Sequence, residues 1–191
     1  LGKTVSLSNL DRNQEALATA GRLLELGDWF IGPAHYWTAW NLYQLDRIAE
    51  ARAAADRAKA MMVNPALFLL SGMIEWREKR LASAEEEFIR TIDMDATQCE
   101  GAFYLASVRW ERQRWKESLE AFRQARVCYA EAIVTRRDLI ADLSATPQDA
   151  MINASRIAGH ERAIAQAEER GIQVAQNVAT LEKVLGSTVT R

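Results

Sequence analysis

Two segments of this 191-residue chain repeat each other 34 residues apart: FLLSGMIEWREKRLASAEEEF at 68–88 and AFYLASVRWERQRWKESLEAF at 102–122. Small residues align with small ones along the two segments, and Trp76 aligns with Trp110. A weaker copy lies 33 residues upstream, around Ala39. Periods of this size are typical of stacked helix pairs, in which each pair is too small to bury its own apolar face and neighbouring pairs supply the core.

The composition is that of an ordinary folded chain. Apolar residues make up 49% and charged residues 26% of the sequence, which argues against wholesale disorder. A net charge of −2 favours neither a nucleic acid nor an anionic membrane as partner. No apolar run approaches the roughly 20 residues that a membrane-spanning helix needs. Nothing in the composition indicates a cellular compartment.

Helical periodicity runs through the chain without competing strand alternation, so we predict an all-α fold. Three prolines are each expected to open a helix, and Asn64 and Thr146 are expected to cap two of them. Thr97 and Glu100 have the spacing of a capping box. Short connectors (Asp-Arg, Lys-Arg and Gln-Arg) are expected around positions 46, 79 and 113. The predicted helices are 10–26, 33–45, 48–62, 65–79, 81–94, 98–113, 115–144 and 148–186.

The repeat resembles the tetratricopeptide repeat, whose pattern is W-x2-L-G-x2-Y…A-x3-F…P. The second copy carries this pattern as Phe68, Ser71, Gly72, Glu75, Ala84 and Phe88. The third carries it as Ala102, Leu105, Ala106, Arg109, Ser118 and Phe122, and the weaker first as His35, Thr38, Ala39, Leu42, Ala51 and Ala55. The resemblance implies a degenerate helix-turn-helix solenoid that binds other proteins.

This pattern predicts the organisation of the chain. An N-terminal tail over 1–9 precedes a repeat array over 10–129. The array begins with a partial repeat at 10–31, and full repeats follow at about 32–64, 65–98 and 99–132. A long helical extension over 130–186 and a C-terminal tail over 187–191 complete the chain.

The last third of the sequence carries heptad stripes instead of the repeat. Ile157, Ile164, Gly171, Val178 and Leu185 are spaced by seven residues, and His160, Ala167, Val174 and Leu181 form the second stripe. Two long striped helices joined by a short turn are expected to fold back as an antiparallel pair. An alternative stays open, in which Gly171 breaks the helix and residues 172–186 begin a fourth repeat.

The family resemblance implies a concave groove lined by the first helix of each repeat. Its positions in this sequence are Tyr36, Trp40, Tyr43, Leu69, Met73, Trp76, Phe103 and Trp110. Aromatic side chains of this kind anchor peptides or helices. Two alternatives remain: an open groove, or aromatic residues covered by the C-terminal helices. The family's clamp for carboxylate-ended peptides uses lysine and asparagine at groove positions. Here those positions are Tyr36, Trp40, Gln44, Leu69, Met73, Arg77, Phe103, Ser107 and Glu111, so the clamp is absent.

Candidate catalytic residues are missing from the sequence. The chain has two histidines, His35 and His160, and contains no metal-binding spacing, phosphate loop or nucleophile elbow. The acidic run 85–87 is expected on a solvated helix face. We therefore predict a non-enzymatic protein without a catalytic site, cofactor or metal.

Cys99 and Cys128 are too few for a disulfide framework. Antiparallel packing of two helices could bring them together. The favoured interpretation is that both are small, buried, unpaired residues.

The predicted function is a scaffold that binds a protein or peptide of unknown identity in the aromatic groove. No nucleic acid is expected as a partner. The alternative is a structural module that forms a homodimer through the long C-terminal helices.

Overall fold

The structure, a computed structural model, describes residues 1–27, 30–145 and 150–189. Within these ranges it contains nine helices and no strand. They are α1 Gly2–Asn9, α2 Asn13–Glu25, α3 Ile31–Gln44, α4 Ile48–Lys59, α5 Pro65–Arg77, α6 Leu81–Met94, α7 Cys99–Glu111, α8 Trp115–Ser144 and α9 Ala150–Val189. The all-α prediction is confirmed, and every predicted helix is present with its ends shifted by a few residues. No helix in these ranges is long and apolar enough to cross a membrane.

The same tight turn joins the two helices of four pairs in the described ranges. In each turn one residue adopts a left-handed conformation, and the N–H of the arginine after it donates to the carbonyl five residues earlier. The left-handed residues are Asp11, Asp46, Lys79 and Gln113, with φ from 55° to 61°. The donors are Arg12, Arg47, Arg80 and Arg114, each 2.9 Å from the acceptor oxygen. This hydrogen bond is that of a Schellman closure, which satisfies a carbonyl at the end of the first helix.

The first of these turns corrects the prediction of a tail over 1–9. Helix α1 occupies that stretch and pairs with α2, so the partial repeat is a complete helix pair. Ser8 of α1 is buried, and its hydroxyl accepts a hydrogen bond from the Asn41 side chain of α3 at 2.8 Å. The sequence contains a signal for this pair, because Leu-Asp-Arg at 10–12 recurs at 45–47.

The predicted caps differ in outcome. Asn64 accepts a hydrogen bond from the backbone N–H of Ala66 at 2.8 Å and precedes a proline at the first position of α5, as predicted. The capping box is wrong, because the Thr97 hydroxyl donates to Asp95 and α7 begins after Gln98 without a side-chain cap. Pro33 lies inside the first turn of α3, which begins at Ile31. The cap at Thr146 and the proline at position 147 lie outside the described residues.

The chain divides into two compact units, 1–94 and 95–191. The first contains α1–α6 and the second contains α7–α9. This division places the third repeat with the C-terminal helices, whereas the sequence predicted one array over 10–129 followed by an extension. The difference arises because α8 belongs both to the repeat, through α7, and to the long helix pair, through α9.

In the first unit, small residues let paired helices approach closely. Four alanines of α4 are at most 3% exposed, and they pack with leucines and an isoleucine of α5. Gly72 of α5 lies against the Phe88 ring of α6, and a Cβ at position 72 would lie 2.5 Å from the ring atom Cε1. A hydrogen is therefore the largest substituent that position 72 accepts without a shift of the ring.

The acidic run at 85–87 does not lie on a fully solvated face as predicted. Glu85 is 5% exposed, and Glu87 accepts a hydrogen bond from Lys59 Nζ at 2.7 Å. Lys59 is on α4 and Glu87 on α6, so this ion pair connects the second helices of neighbouring pairs.

In the second unit, α8 and α9 form the predicted antiparallel pair. The Arg123 side chain of α8 donates a hydrogen bond to Glu182 of α9 at 2.8 Å, and Arg137 of α8 donates one to Glu168 of α9 at 3.0 Å. The step is fourteen residues forward on α8 and fourteen residues back on α9, as in an antiparallel pair. Helix α9 continues through Gly171, so the alternative of a break and a fourth repeat there is wrong. The most buried heptad positions are Ala167, Val174, Val178 and Leu181, at 7% exposure or less. Both predicted stripes therefore contribute to the seam.

A disulfide joins Cys99, the first residue of α7, to Cys128 in the middle of α8. The two Cα atoms are 5.5 Å apart, in the range that a disulfide requires. The favoured prediction of two unpaired cysteines is therefore wrong. Antiparallel packing of α7 against α8 brings together residues that are 29 positions apart in sequence.

Candidate binding surface

The eight predicted groove residues lie in two different units. Six are on the first helices α3 and α5 of unit 1, and two are on α7 of unit 2. We call the first set the α3/α5 face; it consists of Tyr36, Trp40, Tyr43, Leu69, Met73 and Trp76. All six side chains are partly exposed.

The α3/α5 face is anchored from behind by the core of unit 1. Tyr36, Trp40 and Tyr43 pack against a buried cluster that includes Leu67 and Leu70 of α5. Burial raises the pKa of the Tyr36 hydroxyl above its ordinary value, so this group stays neutral. The rings thus present an apolar edge to solvent while their positions are held by packing, which lowers the entropy lost when a partner binds.

A cation lies at the edge of this face. The Arg77 guanidinium is 5.9 Å from the centroid of the Tyr43 ring and forms an ion pair with Asp46. Arg77 and Asp46 are both more than half exposed. An exposed pair of this kind contributes little to stability, but it places one positive and one negative charge beside the aromatic rings.

The equivalent position in unit 2 is covered. Phe103 of α7 is 5% exposed, and the guanidinium of Arg170 on α9 lies 4.8 Å from its ring centroid. Phe103 therefore leaves the candidate site, because a partner could reach it only by displacing α9. The sequence gives no direct signal for this contact, since Arg170 is one of many charged residues on α9.

Trp110 is directed toward the aromatic residues of its own helix pair. Its ring is 5.8 Å from Trp115 and 6.3 Å from Phe122, both in edge-to-face geometry. Such contacts stabilise packing between α7 and α8. Trp110 has the same partial exposure as the side chains of the α3/α5 face, but its ring contacts lie within its own helix pair.

The burial of His35 on α3 leads us to expect that the stability of unit 1 depends on pH. It is 9% exposed, its Nδ1 has no hydrogen-bond partner, and burial, followed by the nearby Arg57, lowers its pKa. The unfolded chain takes up this proton near pH 6.5, whereas the folded chain does so only at lower pH. The free energy of unfolding is therefore expected to fall as the pH drops below about 6.5.

Thermal unfolding between pH 7.5 and 5.5 checks this expectation. In the variant His35→Gln, stability should fall less between pH 7.5 and 5.5 than in the wild type. His160→Gln is the matched control. Equal slopes for wild type and His35→Gln would contradict it.

The described residues contain no group of three or more His, Cys, Asp or Glu side chains that could hold a metal ion. Among the side chains that the structure describes in unit 2, the buried hydroxyl of Tyr129, a residue that is 3% exposed, lacks a hydrogen-bond partner. The pKa of this hydroxyl lies well above its ordinary value, mainly because the group is buried. The hydroxyl is therefore not available as a base.

Comparison with known proteins identifies the fold. No family model matches this chain, and neither does any curated protein. Among solved structures, YrrB, described as a TPR protein with an unusual peptide-binding site, matches 94% of this chain and 83% of its own, with a TM-score of 0.57 and 19% identity. The fold is that of the tetratricopeptide repeat. The MamA RS-1 double mutant matches 97% of this chain and 94% of its own, with a TM-score of 0.60 and 13% identity.

MamA MSR-1 is similar over 88% of this chain and 94% of its own, with a TM-score of 0.58 and 13% identity. At these identities the likeness shows the fold alone.

Proposed function

We propose that this protein is a non-enzymatic scaffold that binds a segment of another protein on the α3/α5 face. The observation that carries the proposal is the contrast between its two units. In unit 1 the groove positions of two neighbouring helices present six partly exposed large side chains. In unit 2 the groove position at Phe103 is already covered by a helix of the same chain.

The chemistry of the face favours an apolar segment with aromatic or aliphatic anchors. Its two tryptophans and two tyrosines are residue types that dominate binding hot spots, its methionine adapts to varied partners, and its leucine adds apolar surface. The cation at its edge, Arg77, is already paired with Asp46. A partner that relies on its C-terminal carboxylate is therefore disfavoured, in agreement with the missing clamp. YrrB, which has a similar fold, is described as having a peptide-binding site.

A selection of displayed random peptides on the full chain tests the proposal. Bound peptides are expected to lose at least about tenfold in affinity for Met73→Glu, because a carboxylate then lies in the apolar face. Met61→Glu is the matched control, since Met61 belongs to the same unit and is 56% exposed outside this face. Fluorescence anisotropy with one labelled peptide gives both affinities.

Equal affinities for the two glutamate variants would overturn the assignment of the α3/α5 face. Because Met73 is partly buried, its substitution could unfold the protein, so far-UV circular dichroism is used to check that both variants keep their helical structure. The more conservative Met73→Gln should give the same ranking with a smaller effect.

A homodimer through the C-terminal helices is the second proposal, and it is the weaker one. The heptad stripes that suggested it already pack within the chain, with Val174 and Leu181 both at 0% exposure. Ile172 of α9, at 63% exposure, and Val134 of α8, at 58%, are among the large apolar residues that could contribute to such an interface. Light scattering after size-exclusion chromatography is expected to give the mass of a monomer, and a concentration-independent dimer would favour this second proposal.

A further inference from the structure

The two cysteines of the disulfide differ in their exposure to solvent. Cys99 is 3% exposed, whereas Cys128 is partly exposed and lines a cavity of about 440 Å³ on the surface of unit 2. In thiol–disulfide exchange a thiolate must reach one of the two sulfur atoms, so this difference in exposure decides which cysteine is attacked. A thiol that reacts with the folded protein reaches Cys128 first.

The cavity has a defined chemical lining. Cys128, Ala132, Thr135 and Leu139 form one row along α8, and Ala96 and Thr97 contribute from the segment before α7. Glu131 and Arg136 also line the cavity, and helical geometry places them on opposite flanks of that row. The cavity therefore has one acidic and one basic residue on either side of Cys128. Its volume is in the range that holds a small molecule.

We propose that this cavity is a modification site, at which a small zwitterionic thiol of the amino-acid or γ-glutamyl-peptide class forms a mixed disulfide with Cys128. The incoming thiolate attacks the Sγ of Cys128, a new S–S bond forms, and the bond between the two cysteines breaks. The electron pair of that bond leaves with Cys99 as a thiolate. No further oxidant or reductant is needed, because one disulfide is exchanged for another.

The position of Cys99 favours its role as the leaving group. It is the first residue of α7, a helix of 13 residues, and the positive end of a helix dipole favours a thiolate. Once protonated, the thiol has an acceptor in place, because the carbonyl oxygen of Thr97 is 3.5 Å from its sulfur.

The charges of the cavity indicate which thiol fits. A zwitterionic thiol carries a carboxylate for Arg136 and an ammonium group for Glu131, so both charged flanks are matched. The reaction would release the start of α7 from α8, since the disulfide joins these two helices. The site is thus a candidate switch within unit 2, separate from the α3/α5 face.

The first experiment traps the mixed disulfide on the full oxidised chain. The protein is incubated with reduced glutathione, quenched with acid, alkylated and mapped by mass spectrometry. The expected result is a glutathione adduct on Cys128 and an alkylated Cys99. An adduct on Cys99, or a disulfide that opens only in denaturant, would overturn the proposal.

Single-cysteine variants give a second measurement. With glutathione disulfide as the probe, the thiol of Cys99→Ser is expected to be modified at least about tenfold faster than the thiol of Cys128→Ser. Arg136→Gln should slow the reaction with glutathione but leave that with uncharged β-mercaptoethanol unchanged. Equal modification rates for Cys99→Ser and Cys128→Ser would contradict attack at Cys128. If Arg136→Gln slowed the reactions with glutathione and with β-mercaptoethanol equally, recognition of the zwitterion would be contradicted. If a serine variant proves unfolded by circular dichroism, the trapped wild-type adduct decides.

Discussion

Val174→Glu is expected to lower the free energy of unfolding of unit 2 by about 3–5 kcal/mol, because it leaves an uncompensated carboxyl group in a seam without solvent. Val174 is 0% exposed and lies on α9 where that helix packs against α8. The neighbouring Ile172 is 63% exposed, so Ile172→Glu is a matched control on the same helix and should cost less than about 1 kcal/mol.

Chemical denaturation of the full chain measures both variants, and hydrogen exchange locates the change in α8 and α9. Similar losses for Val174→Glu and Ile172→Glu would show that the heptad seam is not formed as described. A loss confined to unit 1 would contradict the placement of α9.

Phe88→Ala is expected to cost about 3–5 kcal/mol in unit 1, since it removes a fully buried ring and leaves a cavity. Phe88 is 0% exposed and lies against Gly72. Its neighbour Ile89 is 36% exposed on the same helix, and Ile89→Ala should cost less than about 1.5 kcal/mol.

The contact between this ring and Gly72 allows a sharper experiment. Gly72→Ala alone should cost about 1–3 kcal/mol, because the added methyl group overpacks against the ring. In a Phe88→Leu background the same substitution should cost less, since the smaller side chain leaves room. Additive free energies in this double-mutant cycle, measured by urea denaturation, would contradict the close contact.

The prediction of a tail over 1–9 was wrong, although the sequence contains a signal for helix α1. Leu-Asp-Arg at 10–12 repeats Leu-Asp-Arg at 45–47, and both turns have the same left-handed aspartate followed by the same arginine hydrogen bond. Helix α1 itself has a weak apolar pattern, so its existence is better indicated by the turn that ends it than by its own residues.

The residues of the proposed site follow from the repeat pattern, whereas their exposure does not. The repeat pattern identified the first helices and hence the six residues of the α3/α5 face. It could not show that Arg170 of α9 covers Phe103, since these residues are 67 positions apart. The rotation of a long helix about its axis depends on packing along its full length, which no local pattern specifies.

The sequence by itself determined the helices, the repeat period and the places where each helix pair turns, because these depend on residues within one or two turns of each other. The tertiary structure alone decided which predicted groove residues are covered within the chain, that α9 runs through Gly171 without a break, and that Cys99 meets Cys128. These features depend on contacts between helices far apart in sequence, where small differences in packing select one arrangement among several that share the same local pattern.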